Sequence, residues 1–98
     1  MEILDYRKIS NFFKALSHPT RVSIITKILE GERCVNDIKE FVGARQANIS
    51  QHLTILKLSG IVDWRQEGKK KCYFLKNPGL VKGILSLFRE DNIYGFRR

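Results

Sequence analysis

Five side chains able to hydrogen-bond, Gln46, Asn48, Ser50, Gln51 and His52, crowd into seven positions, with Arg45 just ahead of them and Thr54 just beyond. Amides and hydroxyls both donate and accept, which suits the edges of nucleic-acid bases. A Gln or Asn amide matches the paired donor and acceptor of adenine, and an Arg fork matches guanine or a phosphate. Ile49, Leu53 and Leu56, with Leu58, recur among these polar residues at helical spacing. One helix over about 46–58 therefore turns an apolar stripe inward and the polar set outward. Further along, Lys69, Lys70 and Lys71 stand in a row with Arg65 before them, a pattern suited to phosphates and not to base edges. Other reactive types are scarce. Cys34 and Cys72, 38 positions apart, cannot build a disulfide framework or, by themselves, a four-ligand zinc site. No carboxylate pair, nucleophile–base set or metal cluster stands out, so the chain reads as no enzyme.

The charge supports a polyanionic partner. The chain has 98 residues and a net charge of +8, with 43% apolar and 29% charged residues, as in a soluble globular domain. Residues 45–76 hold seven Lys or Arg against two Asp or Glu, whereas residues 1–44 hold seven against six. Clustered cations gain free energy by releasing the counterions condensed on a phosphate backbone. An anionic membrane would also attract them, but Lys69–Lys71 sit between strand-like segments and not on an amphipathic helix. The opening residues lack the pattern of a signal peptide and no apolar run approaches membrane-spanning length, so no membrane partner and a cytoplasmic location are expected.

The remaining elements follow from caps and periodicity. Asp5 caps a first helix with Ile9, Phe12, Phe13 and Leu16 on one side; Pro19 opens a second, with Val22, Ile25, Ile28 and Leu29; and Val35, Ile38, Phe41 and Val42 mark a short third. Gly31, Gly43 and Gly60 stop the second, third and fourth helices. Residues 61–66 and 71–75 are β-prone and joined by Glu67-Gly68-Lys69-Lys70, a hairpin with a basic tip. Asn77-Pro78 starts a last helix carrying Leu80, Val81, Ile84, Leu85, Leu87 and Phe88. Two short helices around a tight turn, followed by a basic hairpin, make a mainly α winged helix-turn-helix: about five helices plus a two-stranded wing, forming a single domain over 1–98. In that arrangement Arg45, Gln46, Asn48, Ser50, Gln51 and His52 read bases, while Thr54, Arg65, Lys69, Lys70 and Lys71 hold the DNA backbone.

The stretches Ala15-Leu16-Ser17-His18-Pro19-Thr20-Arg21, Gln46 to Leu53, and Leu58-Ser59-Gly60-Ile61-Val62 resemble the ArsR/SmtB family of transcriptional repressors over almost the whole chain. The resemblance implies a homodimer closed by the first and last helices, an inverted-repeat operator in double-stranded DNA, and release by an effector. Ile9, Phe12, Phe13, Leu80, Ile84, Leu87 and Phe88 carry more apolar surface than one small domain readily covers, which independently suggests that interface. Covering one another within the monomer is the alternative.

No cofactor or metal is expected. A metal or metalloid effector would lack its usual family ligands: the Cys-Val-Cys pair of metal-sensing relatives is Cys34-Val35-Asn36 here, and no histidine follows Pro78. His18 and His52 match common residues of the family's helices, as packing or DNA-side groups. Cys34 falls at the expected start of the third helix, where it is either an inert stand-in for serine or an activated thiol. In winged helices the segment before the third helix often pairs with the second wing strand, which would bring Cys34 to Cys72 for a reversible disulfide; strand alternation equally allows Cys72 to point into the core. A winged-helix scaffold for protein partners and a constitutive DNA binder without effector are the competing functions.

Overall fold

The structure, a computed structural model, describes residues 3–43 and 48–89. The Asp5 carboxylate accepts the Lys8 N–H at 3.0 Å and starts α1 (Tyr6–Ala15). His18 caps α2 (Pro19–Leu29), its Nδ1 accepting the Thr20 N–H at 3.1 Å. A two-residue strand β1 (Arg33–Cys34) leads directly into α3 (Val35–Val42). Next come α4 (Ile49–Leu58), the hairpin strands β2 (Val62–Glu67) and β3 (Lys70–Leu75), and α5 (Pro78–Ser86). Asn77 caps α5 by accepting the Leu80 N–H at 3.1 Å.

The exit from α4 sets the direction of the hairpin. Ile61 N–H donates to the Leu56 carbonyl and Gly60 N–H to that of Lys57, both at 3.0 Å. This double closure needs a left-handed residue between helix and strand, and Gly60 supplies it at φ +78°. At the hairpin tip Glu67 pairs with Lys70, leaving the two-residue turn Gly68-Lys69. Gly68 has φ +62° while no non-glycine residue described has positive φ, the pattern of a type II′ turn whose twist matches the strands.

The expected two-stranded wing is a three-stranded antiparallel sheet of order β1-β3-β2. Arg33 lies opposite Tyr73 and Cys34 opposite Cys72, so the approach to α3 completes the sheet edge. Cys34 and Cys72 are joined by a disulfide. Strand alternation puts Val62, Trp64, Tyr73 and Leu75 on one face and Arg65 and Cys72 on the other.

One core gathers Ile24, Ile25 and Ile28 of α2, Ile38 of α3, Ile49, Leu53 and Leu56 of α4, Val62, Tyr73 and Leu75 of the sheet, and Val81 of α5. Each fully buried aliphatic side chain contributes about 1.5–3 kcal/mol of transfer free energy. Two expected core positions are corrected. Leu58, two residues past Leu56, is rotated about 200° away on an α-helix and is 81% exposed. Phe41 is also exposed and carries the Lys27 ammonium over its ring at 4.9 Å. Among the described residues, no helix is long and apolar enough to cross a membrane.

Candidate nucleic-acid interface

The buried residues of α4 fix what the helix shows outside. With Ile49, Leu53 and Leu56 inward, Ser50, Gln51 and Thr54 stand exposed on the opposite side, flanked by Ile55 and Leu58. The Thr54 hydroxyl donates to the Ser50 carbonyl at 2.9 Å, so its oxygen is left to accept. Asn48 occupies the N-cap of α4 without a side-chain cap hydrogen bond and is exposed. Its amide is thus at the helix end that reaches deepest into a groove. Arg45 and Gln46 lie outside the described residues.

His52 departs from the expected base-reading role. Its half-buried ring turns to α2: the Arg21 guanidinium approaches His52 Nδ1 at 3.2 Å, and the His18 ring lies 4.5 Å away between centroids. Burial first, then the charges of His18 and Arg21, hold the His52 pKa below its ordinary 6.5. The imidazole is a neutral joint between helices.

The wing splits its cations in the same way. Arg65, expected on the DNA backbone, instead makes a two-pronged bridge to Glu32, with Nε and Nη2 donating to the carboxylate at 2.8 and 2.7 Å. It also lies 3.3 Å from Glu67. Its strand position, directly across from Cys72, aims it at the turn before β1 and explains the correction. Lys71 is exposed and sits over the Trp64 ring at 4.2 Å, a contact that orients its ammonium without neutralising it. Lys69 and Lys70 are exposed at and beside the turn.

The apolar residues of α1 and α5 face a shared cavity of about 430 Å³, lined by Ile9, Phe12, Phe13, Leu80, Val81 and Ile84 among others. Ile9, Phe13, Leu80, Leu87 and Phe88 are exposed. Phe12 and Ile84 are only half-buried, and Phe12 rests against the chain's own core with its ring edge-on to Phe13. That placement assigns part of the expected interface to the monomer. Among the described residues no group of three or more His, Cys, Asp or Glu side chains is placed to hold a metal ion.

Arg21 was not singled out from sequence. Its signal was present, as a lone cation in the first turn of a helix otherwise apolar and uncharged up to Lys27.

A support helix, an exposed polar helix and a lysine-tipped hairpin built from one core define a winged helix-turn-helix module. The family model for bacterial regulatory proteins of the arsR family matches residues 18–63. A biofilm growth-associated repressor from Xylella fastidiosa is 34% identical over 84 residues, covering 83% of this chain and 74% of the relative. The cadmium resistance transcriptional regulatory protein CadC from Listeria innocua is 42% identical over 74 residues, 74% of this chain and 62% of that protein. Among solved structures, the transcriptional repressor BigR from Xylella fastidiosa superposes with a TM-score of 0.72 at 33% identity, covering 86% of this chain and 89% of that one. A homodimeric winged helix-turn-helix DNA-binding domain from Mycobacterium bovis gives 0.70 at 26% identity, covering 84% and 82%. The chain belongs to the arsR family of bacterial regulatory proteins: it is a transcriptional regulator and not an enzyme.

Proposed function

We propose that the protein is a cytoplasmic, homodimeric repressor that binds an inverted-repeat operator. In this reading each α4 enters a major groove with Asn48, Ser50 and Gln51 toward base edges. Lys69, Lys70 and Lys71 grip the sugar-phosphate backbone. The observation that carries it is the division of α4, whose polar side chains are exposed while its aliphatic ones fill the core. The exposed apolar residues of α1 and α5 supply the contact between copies, as a monomer would otherwise leave them in water. Two-fold symmetry then spaces the half-sites about one helical turn apart, or a multiple of it.

The test is binding to genomic fragments, followed by footprinting and a salt titration. A protected inverted repeat, with affinity falling steeply as salt rises, supports the assignment. Absence of duplex binding at low salt removes it and favours a scaffold for protein partners.

A second feature concerns release. The Cys34–Cys72 disulfide joins the residue that starts α3 to the middle of the wing strand β3. Cytoplasmic thiols are kept reduced, so the resting repressor is the dithiol and the disulfide is the signalled state. A hydroperoxide supplies the balance: two thiols and ROOH give the disulfide, ROH and water. The new bond fixes the angle between wing and helix pair, where the dithiol form has only the two-residue β1 ladder and the Arg65–Glu32 bridge, and this locked wing no longer settles on the backbone.

A further inference from the structure

We propose that Arg21 is a positioning residue for operator recognition, which sets the pose of α4 by tying it through His52 to the end of α1. The inference rests on α4 being the DNA-reading helix. Arg21 is in the first turn of α2, yet its guanidinium spans two other helices. Nε donates to the Ala15 carbonyl, at the last residue of α1, at 2.6 Å, and Nη1 meets His52 Nδ1 at 3.2 Å. One rigid planar group thereby connects α1, α2 and α4.

The chemistry of the pair is determined by the guanidinium. Arginine has donors only and stays charged, so His52 Nδ1 must accept, and the imidazole is the neutral Nε2–H tautomer. Three surroundings enforce this state: burial, the nearby His18 and the Arg21 charge itself. These two side chains, both from the α2 end of the molecule, are the titratable and charged groups acting on His52 among the described residues, while α1 contributes a neutral carbonyl. His18 is not free to withdraw, since its Nδ1 caps α2 through the Thr20 N–H.

Why α4 needs such a tie follows from how else it is held. Ile49, Leu53 and Leu56 anchor it by apolar contact, which is non-directional and tolerates small rotations and slides. Its ion pair to the sheet, Lys57 with Asp63, is exposed, 3.8 Å long and at the opposite end of the helix. The Arg21–His52 contact is directional and lies next to Gln51 and one turn from Asn48. Base readout depends on side-chain placement to a fraction of an ångström, whereas phosphate attraction does not. Arg21 therefore governs discrimination more than total affinity. Lysine cannot replace it, because a single ammonium lacks the fork that serves two acceptors in fixed directions.

The experiment compares wild type, Arg21→Lys, His52→Ala and the double variant on two duplexes: one carrying the footprinted repeat and one of shuffled sequence. Arg21→Lys keeps the charge, so shuffled-duplex affinity stays within about twofold while repeat affinity falls about tenfold, the loss of roughly one base contact per site. His52→Ala lowers repeat affinity similarly, and the double variant loses no more than either single one. In the free protein, imidazole nitrogen spectra show an unprotonated Nδ1 at neutral pH and a titration below 6.5, which moves upward in Arg21→Lys. Repeat binding by Arg21→Lys equal to wild type, parallel losses on both duplexes, additive losses in the double variant, or an unchanged His52 spectrum each overturns the inference. Should Arg21→Lys fail to fold, His52→Gln decides: its carbonyl still accepts from Arg21, so retained discrimination supports the tie and lost discrimination refutes it. Wild type that binds neither duplex would instead refute the reading of α4 itself.

Discussion

Gln51 and Ser50 owe their exposure to the phase of Ile49, Leu53 and Leu56, and this makes them separable from the lysines of the wing. A Gln amide facing a base edge contributes about 1–3 kcal/mol of discrimination, while a lysine on phosphate is indifferent to sequence. Gln51→Ala is therefore expected to weaken binding to the operator and leave shuffled DNA unaffected. Lys70→Ala should weaken both alike and reduce the slope of log affinity against log salt by about 0.9. Equal effects of the two substitutions on both duplexes would contradict these roles. At this scale the sequence was legible where periodicity alone decides, as for Ser50, Gln51 and Thr54. It was not legible where a partner remote in sequence decides. His52 is 31 residues from Arg21 and Arg65 is 33 from Glu32, and no local pattern announces that either side chain is already engaged. Burial fraction and charge type were correct guides to neither.

Helix and strand placement was far easier to read, because its determinants are local. Asp5 and Asn77 accept the expected cap hydrogen bonds, and Gly60 and Gly68 take up the left-handed turns that their neighbours cannot. What spacing missed was β1, whose two residues form a strand only because Tyr73 and Cys72 are there to pair with them. The His18 cap on α2 was likewise hidden, since histidine is an unusual acceptor at that position. The pairing of β1 with β3 has a consequence at the level of elements, because Cys34 and Cys72 couple the start of α3 to the wing. Operator affinity is expected to drop at least tenfold when the protein is treated with a hydroperoxide, and to recover with a dithiol reductant. Cys72→Ser should bind equally well under both conditions. An oxidised protein that binds as tightly as the reduced one, with the cross-link verified by mass spectrometry, would remove the disulfide from the release mechanism.

For the whole molecule the unresolved balance in the sequence was between apolar surface and chain length. Phe12 and Ile84 turn partly toward the chain's own core, but Ile9, Phe13, Leu80, Leu87 and Phe88 remain exposed around the α1–α5 cavity. Covering that surface with a second copy orients two α4 helices by one symmetry axis, which converts two weak half-site contacts into one specific complex. Phe13→Asp should leave the thermal midpoint within a few degrees, as the side chain is 53% exposed, while shifting sedimentation from dimer to monomer and abolishing tight operator binding. Wild type that sediments as a monomer at tens of micromolar, or a variant that stays dimeric, would contradict this placement of the interface.

The most direct measurement of the central claim is an amide-resolved NMR titration of the protein with its footprinted duplex. The account predicts that the largest shifts and strongest protection fall on Asn48 to Thr54 and on Gly68 to Lys71, with α2 and the sheet core little changed. Shifts centred on α2 and α3 instead, with Ser50, Gln51 and Lys70 unmoved at saturation, would show that another surface carries the DNA.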